Sequence, residues 1–166
     1  MAPRTASLVT YRSTPTERAH FAIFVPSATD DGQGTLIHVV GFPMVGFTLE
    51  FKRNYNPAAT QRPHMTYPIG QIDSQFIVDA ANEMPGADST PNGAVEVAAS
   101  QVPPPGISEN FLAPVNDIME YVRHLVHLQH LDAGAIEIVQ SKRDPPTHGI
   151  GLRSVQGLGR GVTGAG

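Results

Sequence analysis

The chain has no cysteine and no tryptophan, and it is thinly charged, with 11 Lys and Arg against 15 Asp and Glu in 166 residues. Without cysteine it forms no disulfide framework, no thiolate metal site and no cysteine nucleophile. A formal charge of −4 supplies none of the basic field that draws a protein to phosphate backbones, so nucleic acid is not an expected partner. No stretch approaches the ~18 consecutive apolar residues that cross a bilayer. The first 16 residues carry Arg4 and Arg12 but no continuous apolar run, so neither membrane nor secretory leader is expected, and a cytoplasmic location is the simplest reading.

What the chain does have is turn chemistry. Sixteen glycines and 15 prolines point to a loop-rich fold rather than a helical bundle. The length suits one domain able to bury a core without staples. The expected organisation is a flexible lead-in over 1–17, a single α+β domain over 18–146 and a disordered glycine-rich tail over 147–166.

Two runs rich in aromatic and β-branched residues, His20 to Val25 and Thr35 to Val40, flank the Asp30-Asp31-Gly32 turn and predict a hairpin. Gly46 to Asn54 alternates, with Phe47, Leu49 and Phe51 on one face and Thr48, Glu50 and Lys52 on the other, which predicts a third antiparallel strand. Ser7 to Tyr11 reads as a short edge strand. Asn54 to Gly70, with its prolines, reads as a long surface loop. Asp73 is placed to cap a helix running to about Asn82. Met84 to Ala94 reads as a loop, and Ala94 to Gln101 and Ala135 to Gln140 as strands. Ile118, Tyr121, Val122, Leu125 and Leu128 recur at helical spacing, predicting a helix from Asn116 to about Leu131, with Asp117 and Glu120 as cap and return partner. The expected fold is therefore a small antiparallel sheet packed by two helices.

His20 and His38 are the candidate catalytic residues. On neighbouring antiparallel strands, any pairing whose residue numbers add to an even total puts both on one face, and pairing 20 with 38 would bring the imidazoles together. One could then act as base while the other fixes its tautomer. The structural alternative is two separate strand histidines, each bonded to a loop carbonyl. His124, His127 and His130, with Glu120, have spacing that can serve zinc, but a helical wheel puts them opposite Ile118, Val122 and Leu125 on the solvated face, and no metal is expected. The run Lys52 to Pro57 reads either as an anion-binding lip or as a solvated strand end. Gly157, Gly159 and Gly161 neither follow a strand nor open a helix, so they fail the context for a phosphate cradle, and no cofactor is expected.

His20-Phe21-Ala22-Ile23-Phe24-Val25, followed by Leu36-Ile37-His38-Val39-Val40, resembles the strand pair of the lecithin retinol acyltransferase-like group, a permuted branch of the papain-like NlpC fold. The resemblance implies that fold, with His20 as general base and His38 as its orienting partner. The nucleophile motif of that group falls at Asn116-Asp117-Ile118-Met119-Glu120, where only Asn116 matches and the cysteine is absent; a carboxylate at Asp117 does not replace a thiolate. The chain also resembles small fungal proteins that carry the Glu50-to-Pro57 segment and accompany secondary-metabolite clusters. Two functions follow as expectations. One is a catalytically impaired NlpC-like accessory or binding protein with a small-molecule or protein partner. The other is a cofactor-independent cyclase- or isomerase-type enzyme in which His20 and His38 move a proton on a small metabolite.

Overall fold

The computed structural model describes residues 2–15, 19–42, 44–104 and 117–142. Asn116, the 144–146 stop and the glycine-rich tail lie outside the described residues. Among the described residues the architecture is α+β: a six-stranded antiparallel sheet with three α-helices. The strands are β1 (Arg4–Tyr11), β2 (His20–Pro26), β3 (Gly34–Phe42), β4 (Gly46–Tyr55), β5 (His64–Ile72) and β6 (Gly86–Asp88), in the spatial order β5-β1-β2-β3-β4-β6. The helices are α1 (Gly93–Ser100), α2 (Asp117–His127) and α3 (Gly134–Lys142).

Alternation along the strands gives the sheet two buried faces. Ala6, Leu8, Ile23, Val25, Ile37, Phe51, Ile69 and Ile72 pack against Val95, Ile118, Val122, Leu125 and Val139 of the helices. Val9, Tyr11, Ala22, Phe24 and Leu36 form a second apolar layer on the other face, where none of the described α-helices packs and Tyr55 joins them. The cover there comes from the strand order. β4 and β5 lie on opposite sides of the sheet, so the connection over 56–63 has to cross β3, β2 and β1. It does so on the second face, with Arg62 over the Tyr11 ring and the Arg12 N–H donating to the Pro63 carbonyl.

The hairpin and the third strand form as expected, but several other expectations are corrected. The lead-in contains β1, an inner strand paired on both sides, rather than an edge. The expected loop of 54–70 contains most of β5, which tolerates Pro68 because it lies at the sheet edge, where one side of the strand needs no donors. The loop of 84–94 contains the short β6. Asp73 caps only one 3-10 turn, accepting from the Gln75 N–H, and the chain then leaves the helical path as Asp79 reaches the Arg4 guanidinium at 2.6 Å.

Two segments expected as strands are helices. In α3, Ala135 and Val139 are buried four residues apart, with Ile136 and Ile138 beside them, so the β-branched content concealed a helical period. In α1 the alanine-rich sequence sustains a helix despite Val95 and Val97. The helix α2 stops at His127, short of Leu131. Gln129 adopts a left-handed φ of 60°, the His130 N–H donates to the Leu125 carbonyl and the Gln129 N–H to that of Val126, the pattern of a Schellman cap.

A buried ion pair ties α1 to the sheet edge. Arg53 on β4 is 6% exposed and donates to Glu96 at 2.6 Å, to both oxygens of Asp88 at 3.0 Å and to the Thr90 carbonyl. Burial pushes the Glu96 carboxyl up, opposed by Arg53 and by the Asn92 N–H that it accepts. Breaking such a pair strands a charge in the interior, so Arg53→Met should cost about 3–5 kcal/mol in a urea unfolding titration. Replacing both partners by apolar residues should recover much of that loss; an equal or larger loss in the double variant would mean that Arg53 acts mainly through Asp88.

Candidate functional site

The register of the sheet assembles a polar row across its second face. Tyr11 on β1 pairs directly with His20 on β2 and with His64 on β5, and His38 on β3 pairs directly with Glu50 on β4. The link between the two halves is diagonal. β2 and β3 pair Ile23 with Ile37 and Phe24 with Leu36, so His38 is set two residues from the position directly opposite His20. Their rings meet nonetheless, with centroids 5.1 Å apart and the His20 Nε2 2.9 Å from the His38 Nδ1. Five adjacent strands each contribute one member: His64, Tyr11, His20, His38 and Glu50.

The carboxylate sets the direction of the hydrogen bonds. Glu50 Oε1 lies 2.9 Å from His38 Nε2 and, ionised, can only accept, so His38 Nε2 carries the proton. His38 Nδ1 is then an acceptor, and His20 Nε2–H donates to it. The assignment leaves the lone pair of neutral His20 on Nδ1, an atom with no hydrogen bond among the described residues. His38 is 5% exposed, whereas His20 and Glu50 are half-buried, so the buried imidazole connects two partly open ends.

A β-bulge brings in the next shell of groups. Between the pairs Leu36–Lys52 and Gly34–Tyr55, two residues of β4 oppose one of β3, and Asn54 takes a left-handed φ of 49°. The extra residue turns Tyr55 onto the second face, where its hydroxyl lies 2.7 Å from that of Tyr11. Burial and this bond push the Tyr11 hydroxyl well above its usual range. A cavity of about 780 Å³ opens on the same face, lined by His64, Thr66, Ser7, Phe24 and Pro57. It does not include His20; His64 lines it, stands 5.8 Å from Tyr11, and so joins it to the row.

Burial depresses both histidines of the pair. His20 is lowered to about 4 by burial, then by His38, Arg62 and Lys52, while burial lowers His38 against the pull of Glu50. The helix histidines are engaged elsewhere: His124 Nε2–H donates to Gln101, its ring stacks on His127, and Glu120 holds Arg123. Among the described residues no three metal-binding side chains converge. The Lys52-to-Pro57 run, read either as a lip or as a solvated strand end, is divided by the pleat, with Arg53 buried in its ion pair while Lys52 stands over Tyr55 on the second face.

Residues 6–132 match the model of a family described as a family of unknown function, DUF6540. The chain belongs to the DUF6540 family. The matched span takes in all of α1 and α2 and the sheet from Ala6 onward, and hence the whole polar row. No curated protein and no solved structure matches the chain. The family match overturns the likeness to the lecithin retinol acyltransferase-like group and the papain-like NlpC fold, since the residues that carried the likeness lie within the DUF6540 span and no such family matches. The geometry gives a physical reason. The helix expected to present a nucleophile packs on one face of the sheet, through Ile118 and Val122, while His20 and His38 share the polar row on the other.

The sequence put His20 and His38 on one face and singled out Tyr55 only as part of the Lys52-to-Pro57 run; it did not point to Glu50, Tyr11, Arg62 or His64 as their neighbours. Glu50 was accessible: a tight turn pairing Phe42 with Gly46 sets His38 opposite position 50. Neutral, buried histidines also make the fold acid-sensitive. The unfolded chain takes up protons near pH 6.5 that the folded chain takes up at His20 only near 4, so stability should be full above about pH 6.5 and fall as pH drops through that window. Thermal melts from pH 7.5 to 4 should show this decline, and it should be shallower in His20→Gln; an unchanged slope would remove His20 from the acid response.

Proposed function

We propose that this DUF6540 protein is a cofactor-independent proton-transfer enzyme acting on a small molecule, with His20 Nδ1 as general base. The observation that carries this reading is the hydrogen-bonded line from Glu50 through His38 to His20, which ends on a half-buried ring whose Nδ1 has no partner among the described residues. His20 takes a proton from an acidic C–H or O–H group of the substrate, and the bonding electron pair stays on the substrate. Return of the proton to a different substrate atom completes an isomerisation or ring closure with no net oxidation. Proton uptake at Nδ1 makes His20 an imidazolium, and its Nε2–H bond to His38 then strengthens, with Glu50 fixing the His38 tautomer behind it. His38 and Glu50 are positioning residues in this scheme, and the neighbouring cavity offers room for the body of a small substrate.

A second reading, a binding protein without turnover, draws support from the low proton affinity of His20 in the unliganded protein. Isotope exchange separates the two without knowledge of the product. The protein is incubated with a panel of small carbon acids in deuterium oxide, and single-deuterium incorporation is followed by mass spectrometry. The proton-transfer reading expects exchange into at least one compound, lowered about a hundredfold or more in His20→Ala. Glu50→Gln should lower it as well and alter its pH profile, because an amide can donate to His38 and reverse the tautomer. Binding with no exchange into any bound compound would favour the second reading.

A further inference from the structure

Two cations stand on the second face, and among the described residues neither is in ion-pair contact with a carboxylate. Lys52 follows Glu50 by two residues on β4, and its Nζ lies 5.5 Å from the centre of the Tyr55 ring. Arg62 arrives on the crossover, with its Cζ 5.2 Å from the centre of the Tyr11 ring. The two ring hydroxyls are bonded to each other, so both cations belong to one assembly, and the Tyr11 ring stands 5.9 Å from His20. Among the described residues neither Lys52 nor Arg62 makes an ion pair. Arg4, Arg53 and Arg123, by contrast, are each matched to a carboxylate. A cation held against an aromatic face keeps N–H donors for another partner, and a guanidinium presents them in a fork that suits carboxylate or phosphate.

We propose that Lys52 and Arg62 bind an oxyanion, the carboxylate or phosphate group of a small organic substrate, beside His20. The word substrate rests on the proton-transfer reading; anion binding does not. The charges facing His20 are Lys52 from β4, Arg62 from the crossover and, behind the buried His38 of β3, the Glu50 carboxylate; the Tyr11 hydroxyl of β1 is held neutral. The two cations help keep the unliganded imidazole reluctant to accept a proton. A bound oxyanion cancels that repulsion, so the base gains strength when an anionic substrate arrives and stays weak in its absence.

Inorganic sulfate is the first probe, because its charge stays fixed through the titration of His20. Imidazole resonances are followed against pH with and without sulfate, with chloride at matched ionic strength as the control. The expected result is a saturable response confined to the second face and a His20 midpoint raised by about one pH unit. Lys52→Gln and Arg62→Gln should each weaken sulfate at least about tenfold, by loss of one charge-assisted contact, and Arg62→Lys should keep part of the affinity. Dispersed amide spectra of the same samples establish folding. No saturable response to sulfate or acetate, or a response that survives the Lys52→Gln, Arg62→Gln double variant, overturns the anion site. Sulfate binding as described, with no deuterium exchange into any anionic compound, upholds the site while removing the proton-transfer reading. Exchange into an uncharged compound that is indifferent to both substitutions overturns the anion site and leaves the base in place.

Discussion

The connection between β4 and β5 is the constraint on which the rest of the second face depends. A meander of four strands would leave that face to solvent, because the three described α-helices pack on the other side. Placing β5 beyond β1 instead of beyond β4 obliges the chain to cross three strands, and the crossing segment brings Asn56, Pro57, Ala58 and Arg62 over a surface that would otherwise be wet. Val9, Ala22 and Leu36 are buried as a result. So is His38, and its burial accounts for the neutral state of the imidazole and hence for its ability to accept on one nitrogen while donating from the other.

The polar systems around Arg53 and around His38 serve different ends. Around Arg53 the donors and acceptors are matched: the guanidinium meets two carboxylates and a carbonyl, and Glu96 has an amide donor besides. A network satisfied in this way locks α1 and β6 to β4 and leaves nothing for a ligand. In the row from His64 to Glu50, His64 reaches the Arg62 carbonyl and Tyr11 the Tyr55 hydroxyl, while His20 bonds only through Nε2 among the described residues. From Glu50 to His20 the hydrogen bonds run in one direction, and among the described residues they terminate on a nitrogen without a partner, beside cations that make no ion pair. Incomplete pairing of this kind raises the energy of the unliganded face, and a ligand of matching charge relieves it.

Legibility followed the strength of the local signal. The β2–β3 hairpin, β4 and α2 could be read because their alternation or helical period matches their burial, and the parity of 20 and 38 put both imidazoles on one face whichever even register the loop selected. The segments misread carry conflicting signals. Pro68 argued against a strand that only an edge position permits, and the Val and Ile residues of α1 and α3 argued for strands where helical spacing prevailed. Tyr55 illustrates a harder case. Strict alternation along β4 would send it to the helix face, and the bulge at Asn54 sends it to the other.

By itself the sequence determined the class of fold, the absence of thiol chemistry and the shared face of His20 and His38, because composition and a period of two are properties of the chain alone. Tertiary structure alone decided that His20 meets His38 on the diagonal, that Tyr11 stands between His20 and His64, and that Arg62 reaches a ring 51 residues away in the chain. Those outcomes turn on strand order and on one extra residue in β4. Both are settled by how well the whole sheet buries its two faces, an energy summed over many distant contacts that no local stretch of sequence contains.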